Sequence, residues 1–330
     1  MELDEEFYTA LVKDSTQKSR QASEMTTNEL KFVQMQKYTA YLSLVIPFVA
    51  VLGSIYLIAI NGVSWFGVSI FIVMYTLTML GLTMGFHRLF AHKSFVTSPF
   101  FRCVLCILGS MTAQGPLLFW VSTHRRHHSH SDKPGDPHSP QMFGNTLIGQ
   151  LKGLWHVHAK WTITEHGCCL SWMDYVPDLL KDKLMMRMNG LYPLWVLLGI
   201  LLPGILGGLI LGYAYGFLEG VLYGGLVRIF FVYHGYLLNA SISHMFGDRP
   251  FVAKTKDYST NNVIAAIIVF GEGNQNNHHA FPRSPLHGLE WHQSDFTFFV
   301  MRLLHYFGVI WNYAEIPSRK KMDALRSVSR

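Results

Sequence analysis

Charged residues are absent between Tyr38 and Phe86, and apolar residues dominate this stretch. A helix needs about 20 apolar residues to cross the hydrocarbon core of a bilayer, so the stretch is long enough for two spans. Asn61 and Gly62 form a turn signal near its middle. We therefore predict membrane-spanning helices near residues 41–60 and 65–85, joined as a hairpin.

A second stretch of the same kind lies between Arg187 and Arg228, where Glu219 is the only charged residue. It predicts spans near residues 191–213 and 220–241, joined by a tight turn. Half of the chain is hydrophobic and 15% is charged, which is typical of a membrane protein rather than a soluble domain. The pattern predicts an all-α integral membrane protein with four transmembrane helices in two hairpins.

A shorter apolar stretch, residues 100–121, separates the two hairpins and contains the helix-breaking run Gln114-Gly115-Pro116. We interpret it as an interfacial or re-entrant helix. A fifth span at this position would move everything that follows to the opposite face of the membrane.

Lysine and arginine residues precede the first span, fill the connection between the hairpins and end the chain. By the positive-inside rule, all three regions are expected on the cytoplasmic face, so the protein is multi-pass with both termini cytoplasmic. We expect a cytoplasmic N-terminal arm (1–37) without a signal peptide, a membrane domain (38–315) and a basic tail (316–330). Orientation and anionic lipid headgroups explain the net charge of +6, and no nucleic-acid motif is present.

Three histidine clusters lie outside the most apolar runs: His87-Arg-Leu-Phe-Ala-His92, His124-Arg-Arg-His127-His128 and Gln275-Asn-Asn-His278-His279. Positions i, i+3 and i+4 share one face of a helix, so the second and third clusters can each converge on one point. Imidazole suits iron, copper, zinc and nickel, and the clusters supply more nitrogens than one four-coordinate site uses. We therefore expect two neighbouring metals. With four spans, all three histidine clusters fall on the cytoplasmic face.

Over residues 35–315 the chain resembles the integral-membrane acyl-CoA (stearoyl-CoA, delta-9 type) fatty acid desaturases. The resemblance implies four spans with a cytoplasmic cap, a histidine-ligated di-iron centre, and O2-dependent insertion of a cis double bond into a saturated acyl chain, with delta-9 the expected position. The motifs that carry it are the three histidine clusters together with Asp136-Pro137-His138-Ser139, His158-Ala-Lys-Trp161, Gly271-Glu-Gly273 and His287-Gly-Leu-Glu-Trp291.

The resemblance also implies a set of iron ligands and no catalytic side chain beyond them. The matched positions are His87, His92, His124, His127, His128, His244, His278 and His279. The chain departs from the acyl-CoA pattern at two positions. Gln275 replaces a histidine, as in the front-end desaturases, and is expected to be a weak or water-mediated ligand. The asparagine four residues before His244 is replaced by Ala240, so Asn239 could ligate only if its helix were locally distorted.

Other polar residues have more than one interpretation. His158 and Trp161 match cap positions and are expected to contact the substrate or to pack the cap. His130 and His138 are expected either to hydrogen-bond the ligands or to lie at the surface. His234 and Arg228 fall in the fourth span, where ionisable groups usually face a bundle interior. The remaining histidines are expected to be structural or solvated: His156, His166, His287, His292 and His305.

Two further function classes remain open. A histidine-rich membrane protein could be a metal transporter, but transporters place their ligands near the membrane midplane on broken helices, whereas these clusters lie in polar connections. The desaturase scaffold also supports acetylenases, which form alkynes, and hydroxylases. The mass of the product distinguishes these outcomes.

The expected partners follow from the same chemistry. No flavin, nicotinamide or haem fingerprint is present, so electrons are expected from an external ferredoxin, rubredoxin or cytochrome. The substrate is expected to be a fatty acyl thioester on CoA or acyl carrier protein, or an acyl lipid. A basic cap would suit an acidic donor or a phosphorylated carrier.

Overall fold

The computed structural model describes residues 27–62, 64–163, 172–212, 214–255 and 257–326. Within these ranges, four helices are long and apolar enough to cross a membrane, which confirms the predicted helical fold. His166 and residues 1–26 of the expected arm lie outside the described residues. The longer helices, in chain order, are α1 (Thr27–Asn61), α2 (Trp65–Ala91), α3 (Pro99–Ser110), α4 (Leu117–His130), α5 (Leu147–Trp155), α6 (Lys183–Gly190), α7 (Tyr192–Leu211), α8 (Ala214–Ile242), α9 (Val263–Ile268), α10 (Gln275–Ala280), α11 (Phe296–Tyr306) and α12 (Arg319–Leu325).

Helices α1 and α2 form the first hairpin, and α7 and α8 form the second. The turn residues Gly62 and Gly212 have φ values of +75° and +72°, a left-handed conformation that glycine adopts without steric cost. Helix α8 begins at Ala214, earlier than predicted. Glu219 therefore lies buried inside this helix rather than at its tip, and its carboxylate accepts a 3.0 Å hydrogen bond from the Ser64 hydroxyl. This contact joins the two hairpins at the end remote from the histidines.

Helix α2 continues beyond the predicted end of its span at residue 85. Its last part, Gly81–Ala91, is a π-helix in which every residue is buried. Close packing explains the extension, because a Cβ atom at Gly81 would lie 2.4 Å from the backbone nitrogen of Gly109 in α3. The extension carries His87 from the membrane-spanning part directly into the cap. π-Helical turns are frequent at functional sites.

The apolar stretch predicted as one interfacial or re-entrant helix is two helices, α3 and α4. The chain breaks between them, where Ala113 and Gly115 have positive φ values and Pro116 lacks an N–H donor. Helix α4 then carries the second histidine cluster. The break therefore has a functional consequence, because it sets the direction of the helix that presents His124, His127 and His128.

The cap consists of the residues between α2 and α7 together with those that follow α8. Its described residues form short helices, connecting segments and a two-stranded antiparallel sheet, in which β1 (Val96–Thr97) pairs with β2 (Ile310–Trp311). The pairing ties the segment after α2 to the segment after α11. The shorter helical segments are Pro140–Phe143, His156–Lys160, Trp161–Ile163, Trp172–Tyr175 and Pro177–Leu180.

Candidate metal centre

Five histidines from separate parts of the chain converge in the cap. One side-chain nitrogen of each lies within 4.8 Å of those of the others. The Nε2 atoms of His92 and His124 are 2.8 Å apart, and those of His128 and His278 are 2.9 Å apart. We call this group the five-histidine cluster: His87, His92, His124, His128 and His278.

A second group, the three-histidine cluster, consists of His127, His244 and His279. The three ring centroids are each 5.2 Å apart. The Gln275 amide nitrogen lies 3.1 Å from His279 Nε2. Because an amide can turn by 180° to exchange its oxygen and nitrogen, the Gln275 oxygen can face the same point.

The two clusters are neighbours. The rings of His128 and His279, one from each cluster, have centroids 4.5 Å apart. His127 and His128 lie in different clusters, and so do His278 and His279. The prediction that each sequence motif converges on a single point is therefore wrong. Successive residues of an α-helix are about 100° apart, and α4 and α10 therefore present His127 and His279 to one cluster and His128 and His278 to the other.

The geometry of both clusters fits metal ions. Two nitrogens bound at about 2.1 Å and at right angles to one another are about 3.0 Å apart, close to the distances observed in the five-histidine cluster. In the three-histidine cluster, the buried Nε2 atoms of His127 and His244 have no hydrogen-bond partner within the described residues. A bound metal ion would satisfy both of these buried nitrogens.

The electrostatic environment favours neutral imidazoles, which are the form that binds metal. Burial is the main cause that lowers the pKa of His92, His124, His128 and His278 well below its usual value, and the neighbouring imidazoles lower it further. These four imidazoles are therefore neutral, and each has a ring nitrogen free to bind metal.

Carboxylates hold the outer nitrogens of the histidines. His127 Nδ1 lies 3.0 Å from Asp136, His244 Nδ1 lies 2.8 Å from Asp132, and His279 Nδ1 lies 2.9 Å from Asp257. A carboxylate oxygen of Glu272 also lies in contact with Nδ1 of His87. Such contacts fix the ring orientation and leave Nε2 directed inward.

No role was predicted from the sequence for these carboxylates, although Asp136 and Glu272 lie in motifs that carry the resemblance. The available signal was their position, because Asp132 and Asp136 follow the second histidine cluster and Glu272 shortly precedes the third. Burial alone would raise the pKa of Asp136, but the adjacent His127 holds it below its ordinary value. Asp136 is therefore ionised.

His287 and Arg88 also contact the site, although no contact with the metal centre was predicted for either residue. His287 is buried, as one of its two expected interpretations required, and its ring centroid lies 4.6 Å from that of His278. Arg88 is completely buried and donates to Glu272 at 2.6 Å and to Asp295 at 3.0 Å. The Arg88 guanidinium thus positions the Glu272 carboxylate, and this carboxylate contacts His87.

Asn239, which could ligate only from a distorted helix, has a different partner. The Asn239 amide oxygen accepts a 2.9 Å hydrogen bond from the Ser243 hydroxyl, and residues Arg228–Ile242 form a regular α-helix without the required distortion. Of the two cap residues, His158 Nε2 lies 3.0 Å from His234 Nδ1, whereas Trp161 packs against His138. His138 also stacks on His127, with ring centroids 4.5 Å apart, so it contacts a cluster rather than only the surface.

An apolar cavity of about 510 Å³ reaches the five-histidine cluster. His124, Trp120 and Trp161 line it near the histidines. The remainder of the wall is formed mainly by residues of α1, α7 and α8 and by residues 113–116 between α3 and α4. The Trp120 ring stacks on that of His124, with centroids 5.2 Å apart. The cavity can hold an extended apolar chain beside a histidine of the five-histidine cluster.

The fold and the site together define a helical protein with four candidate membrane spans and a histidine-rich candidate metal centre, and the comparisons with known proteins identify its family. The family model for fatty acid desaturase matches residues 63–302, which is more than half of the chain. The chain therefore belongs to the fatty acid desaturase family, and it is an oxidoreductase. The resemblance noted in the sequence is confirmed.

Individual relatives differ in their named activities. The chain is 40% identical over 309 residues, 93% of its length and 94% of the relative's, to the hex-5-enoyl-[acyl-carrier protein] acetylenase of Moorena producens (strain JHB). It is 35% identical over 263 residues, 79% and 89% of the two chains, to the sn-1 stearoyl-lipid 9-desaturase of Anabaena variabilis. It is 31% identical over 281 residues, 83% of each chain, to the acyl-CoA C20 Delta5-desaturase of Anemone leveillei. The family is therefore established, but delta-9 specificity is not.

Proposed function

We propose that the protein is an O2-dependent fatty acyl desaturase that inserts a cis double bond into a saturated acyl chain, at the delta-9 position, with two iron ions held by the histidine clusters. The observation that carries this proposal is the pair of adjacent imidazole clusters at the end of an apolar cavity. Iron with O2 supplies the oxidising power to remove hydrogen from an unactivated methylene, which side-chain acids and bases cannot do.

Some residues of the protein would bind iron, and others would hold the acyl chain of the substrate. The five-histidine cluster would bind one ion, and the three-histidine cluster with Gln275 as a weak or water-mediated ligand would bind the other. Asp132, Asp136, Asp257 and Glu272 would keep the rings oriented. The cavity wall would exclude water and present one methylene pair beside His124.

An acetylenase is the second candidate, and one observation favours it specifically. The 40% identical relative is named as an acetylenase, and the alignment covers nearly the whole of both chains. The same clusters and cavity suit removal of hydrogen from an existing double bond. The departures at Gln275 and Ala240 also leave a hydroxylase open, although no relative described above carries that name.

We further propose that the substrate is a fatty acyl thioester on CoA or acyl carrier protein, or an acyl lipid, because the relatives are named for all three carriers. An external ferredoxin, rubredoxin or cytochrome would supply the electrons. The clusters and both termini would lie on the cytoplasmic face, as the distribution of basic residues favours.

The decisive experiment supplies the iron-loaded protein, in lipid nanodiscs, with a plant-type ferredoxin, its reductase and NADPH. Stearoyl-CoA, stearoyl-acyl carrier protein and a stearoyl glycerolipid serve as separate probes, and hex-5-enoyl-acyl carrier protein tests the acetylenase. Loss of two hydrogens from a saturated probe supports the desaturase, conversion of the enoyl probe to an alkyne supports the acetylenase, and gain of one oxygen supports a hydroxylase. Metal analysis that finds zinc and no iron in active protein would contradict the di-iron proposal.

A further inference from the structure

Arg228 lies completely buried in the fourth span, and its guanidinium donates to three backbone carbonyls. Nε donates to Gly224 at 3.1 Å and Nη2 to Gly199 at 2.9 Å. Nη1 donates to the carbonyl of Met111, which follows the end of α3. A charged side chain in a membrane span is costly, so its retention indicates a role.

Two of these carbonyls lack the donor that a regular helix would supply. The Gly199 carbonyl in α7 is four residues before Pro203, which has no N–H. Met111 lies at the C-terminal end of α3, where the last carbonyls have no partner within the helix. Arg228 therefore supplies the missing donors and joins α8 to both α7 and the end of α3.

The segment that begins at Met111 forms part of the cavity wall. Ala113, Gln114 and Gly115 line the cavity, and Ala113 has a φ of +60°, a conformation that non-glycine residues rarely adopt. The segment is held at its other end by the Tyr192 hydroxyl, which accepts a 3.0 Å hydrogen bond from the Gly115 amide. Helix α4 begins directly afterwards at Leu117 and carries His124. Strained backbone of this kind persists where surrounding contacts hold it in place.

We propose that Arg228 is a positioning residue that fixes residues 111–116 as a wall of the acyl cavity, and thereby determines which carbon pair of the chain lies beside His124. This inference rests on the proposed function, because it requires the cavity to hold the acyl chain. Displacement of the wall would shift the acyl chain along the cavity relative to the histidine clusters, without removing a metal ligand. The methylenes of a saturated chain are chemically alike, so such a shift changes the position of the double bond.

The test compares Arg228→Met with the double variant Arg228→Met/Pro203→Ala. Alanine at position 203 restores an N–H that can reach the Gly199 carbonyl, so the double variant repairs α7 and leaves only the Met111 carbonyl without its donor. Arg302→Met, at an exposed cap position, is the matched control. The measurements are iron per chain, the Tm of the protein in nanodiscs, and the positions of the double bond by mass spectrometry.

Arg228→Met is expected to lower Tm and to raise severalfold the fraction of product at neighbouring carbon positions, with the iron content retained. The double variant is expected to recover part of the Tm but to keep the altered product distribution. A wild-type distribution in both variants would overturn the proposal and leave Arg228 with a purely structural role.

Gly199→Ala provides an independent measurement if Arg228→Met does not fold. Its Cβ would lie 2.8 Å from Met111 Cγ, so it displaces the same wall while the charge is retained. The same redistribution of double-bond positions is expected, and an unchanged distribution counts against the proposal. Absence of product from wild-type protein with every acyl probe would instead count against the proposed function.

Discussion

His127 and Asp136 are joined through Nδ1 of the imidazole, which lies 3.0 Å from both carboxylate oxygens. The contact leaves Nε2 of His127 buried and directed away from the carboxylate, without a hydrogen-bond partner among the described residues. Asp136 also accepts hydrogen bonds from the backbone amides of Asp132 and His138. The loop after α4 therefore folds around one carboxylate, and that carboxylate selects the nitrogen that faces the three-histidine cluster.

Asp136→Asn is expected to lower the affinity for iron about 10- to 100-fold, because asparagine retains the shape but loses the charge that orients and polarises His127. Competition with a calibrated chelator measures the change. Asp174→Asn, which alters an exposed aspartate, is the matched control and should leave the affinity unchanged. Equal affinities for the two variants would show that the carboxylate does not support a ligand.

Alanine at His127 or at His279 is expected to abolish turnover and to leave a folded, membrane-inserted protein, because the substitution leaves the apolar spans and the buried apolar core unchanged. Metal analysis should find about two irons per chain in the wild type and fewer in each variant. His292→Ala, at an exposed position, is the control and should retain both activity and iron. Full activity of His279→Ala would exclude it from the ligand set.

Gln275 allows a graded test of ligand strength. If it is a weak or water-mediated ligand, Gln275→Ala should retain measurable iron and some product, and Gln275→His should be tolerated because imidazole is the stronger donor. Iron content and turnover of the two variants are compared with those of His279→Ala. Loss of iron in Gln275→Ala as complete as in His279→Ala would establish glutamine as a full ligand.

The depth of the cavity is expected to limit chain length. Ile200 lines the cavity eight residues after the start of α7, which is about 12 Å along the helix at 1.5 Å per residue. Ile200→Phe should lower the turnover of stearoyl relative to palmitoyl substrate. Leu201→Phe, at the adjacent position outside the cavity lining, should not change this ratio. Equal ratios for the two variants would show that the cavity is not the acyl site.

Membrane orientation can be tested with single cysteines after the native cysteines are replaced. Asn61→Cys, at the first hairpin turn, is expected to be labelled from the periplasmic or luminal side, whereas Glu315→Cys in the cap should be labelled only from the cytoplasm. An impermeant maleimide applied before and after permeabilisation distinguishes the two sides. Labelling of both positions from one side would contradict the four-span orientation.

The spans could be predicted from the sequence because a bilayer-length apolar run is a local signal. The ends of α2 and α8 could not be predicted in the same way. Helix α2 continues to Ala91 because Gly81 packs against α3. Helix α8 begins before Glu219, and the carboxylate of this residue is bound by Ser64 of the other hairpin. Both boundaries depend on contacts between segments far apart in the chain.

The candidate ligands could be identified because histidines are grouped in the sequence. Which histidine belongs to which of the two structural clusters could not be predicted. The division depends on the position of α4 and α10 between the clusters, which only the packed structure provides. Asp257 is the clearest omission, since it lies far from each histidine motif in the sequence and reaches His279 only in the folded cap. The hydrogen bond between Ser243 and Asn239 could not be predicted either, because nothing in the sequence marks Ser243 as the partner.

The distribution of the clustered histidines along the chain constrains how the protein is made. Each cluster draws on residues that are widely separated in the order of synthesis, from His87 to His278 and from His127 to His279. Neither cluster can be complete until both hairpins have been synthesised and α10 has left the ribosome. Synthesis of all four spans therefore precedes completion of the centre, and a chain truncated before α10 would contain every span but no complete cluster.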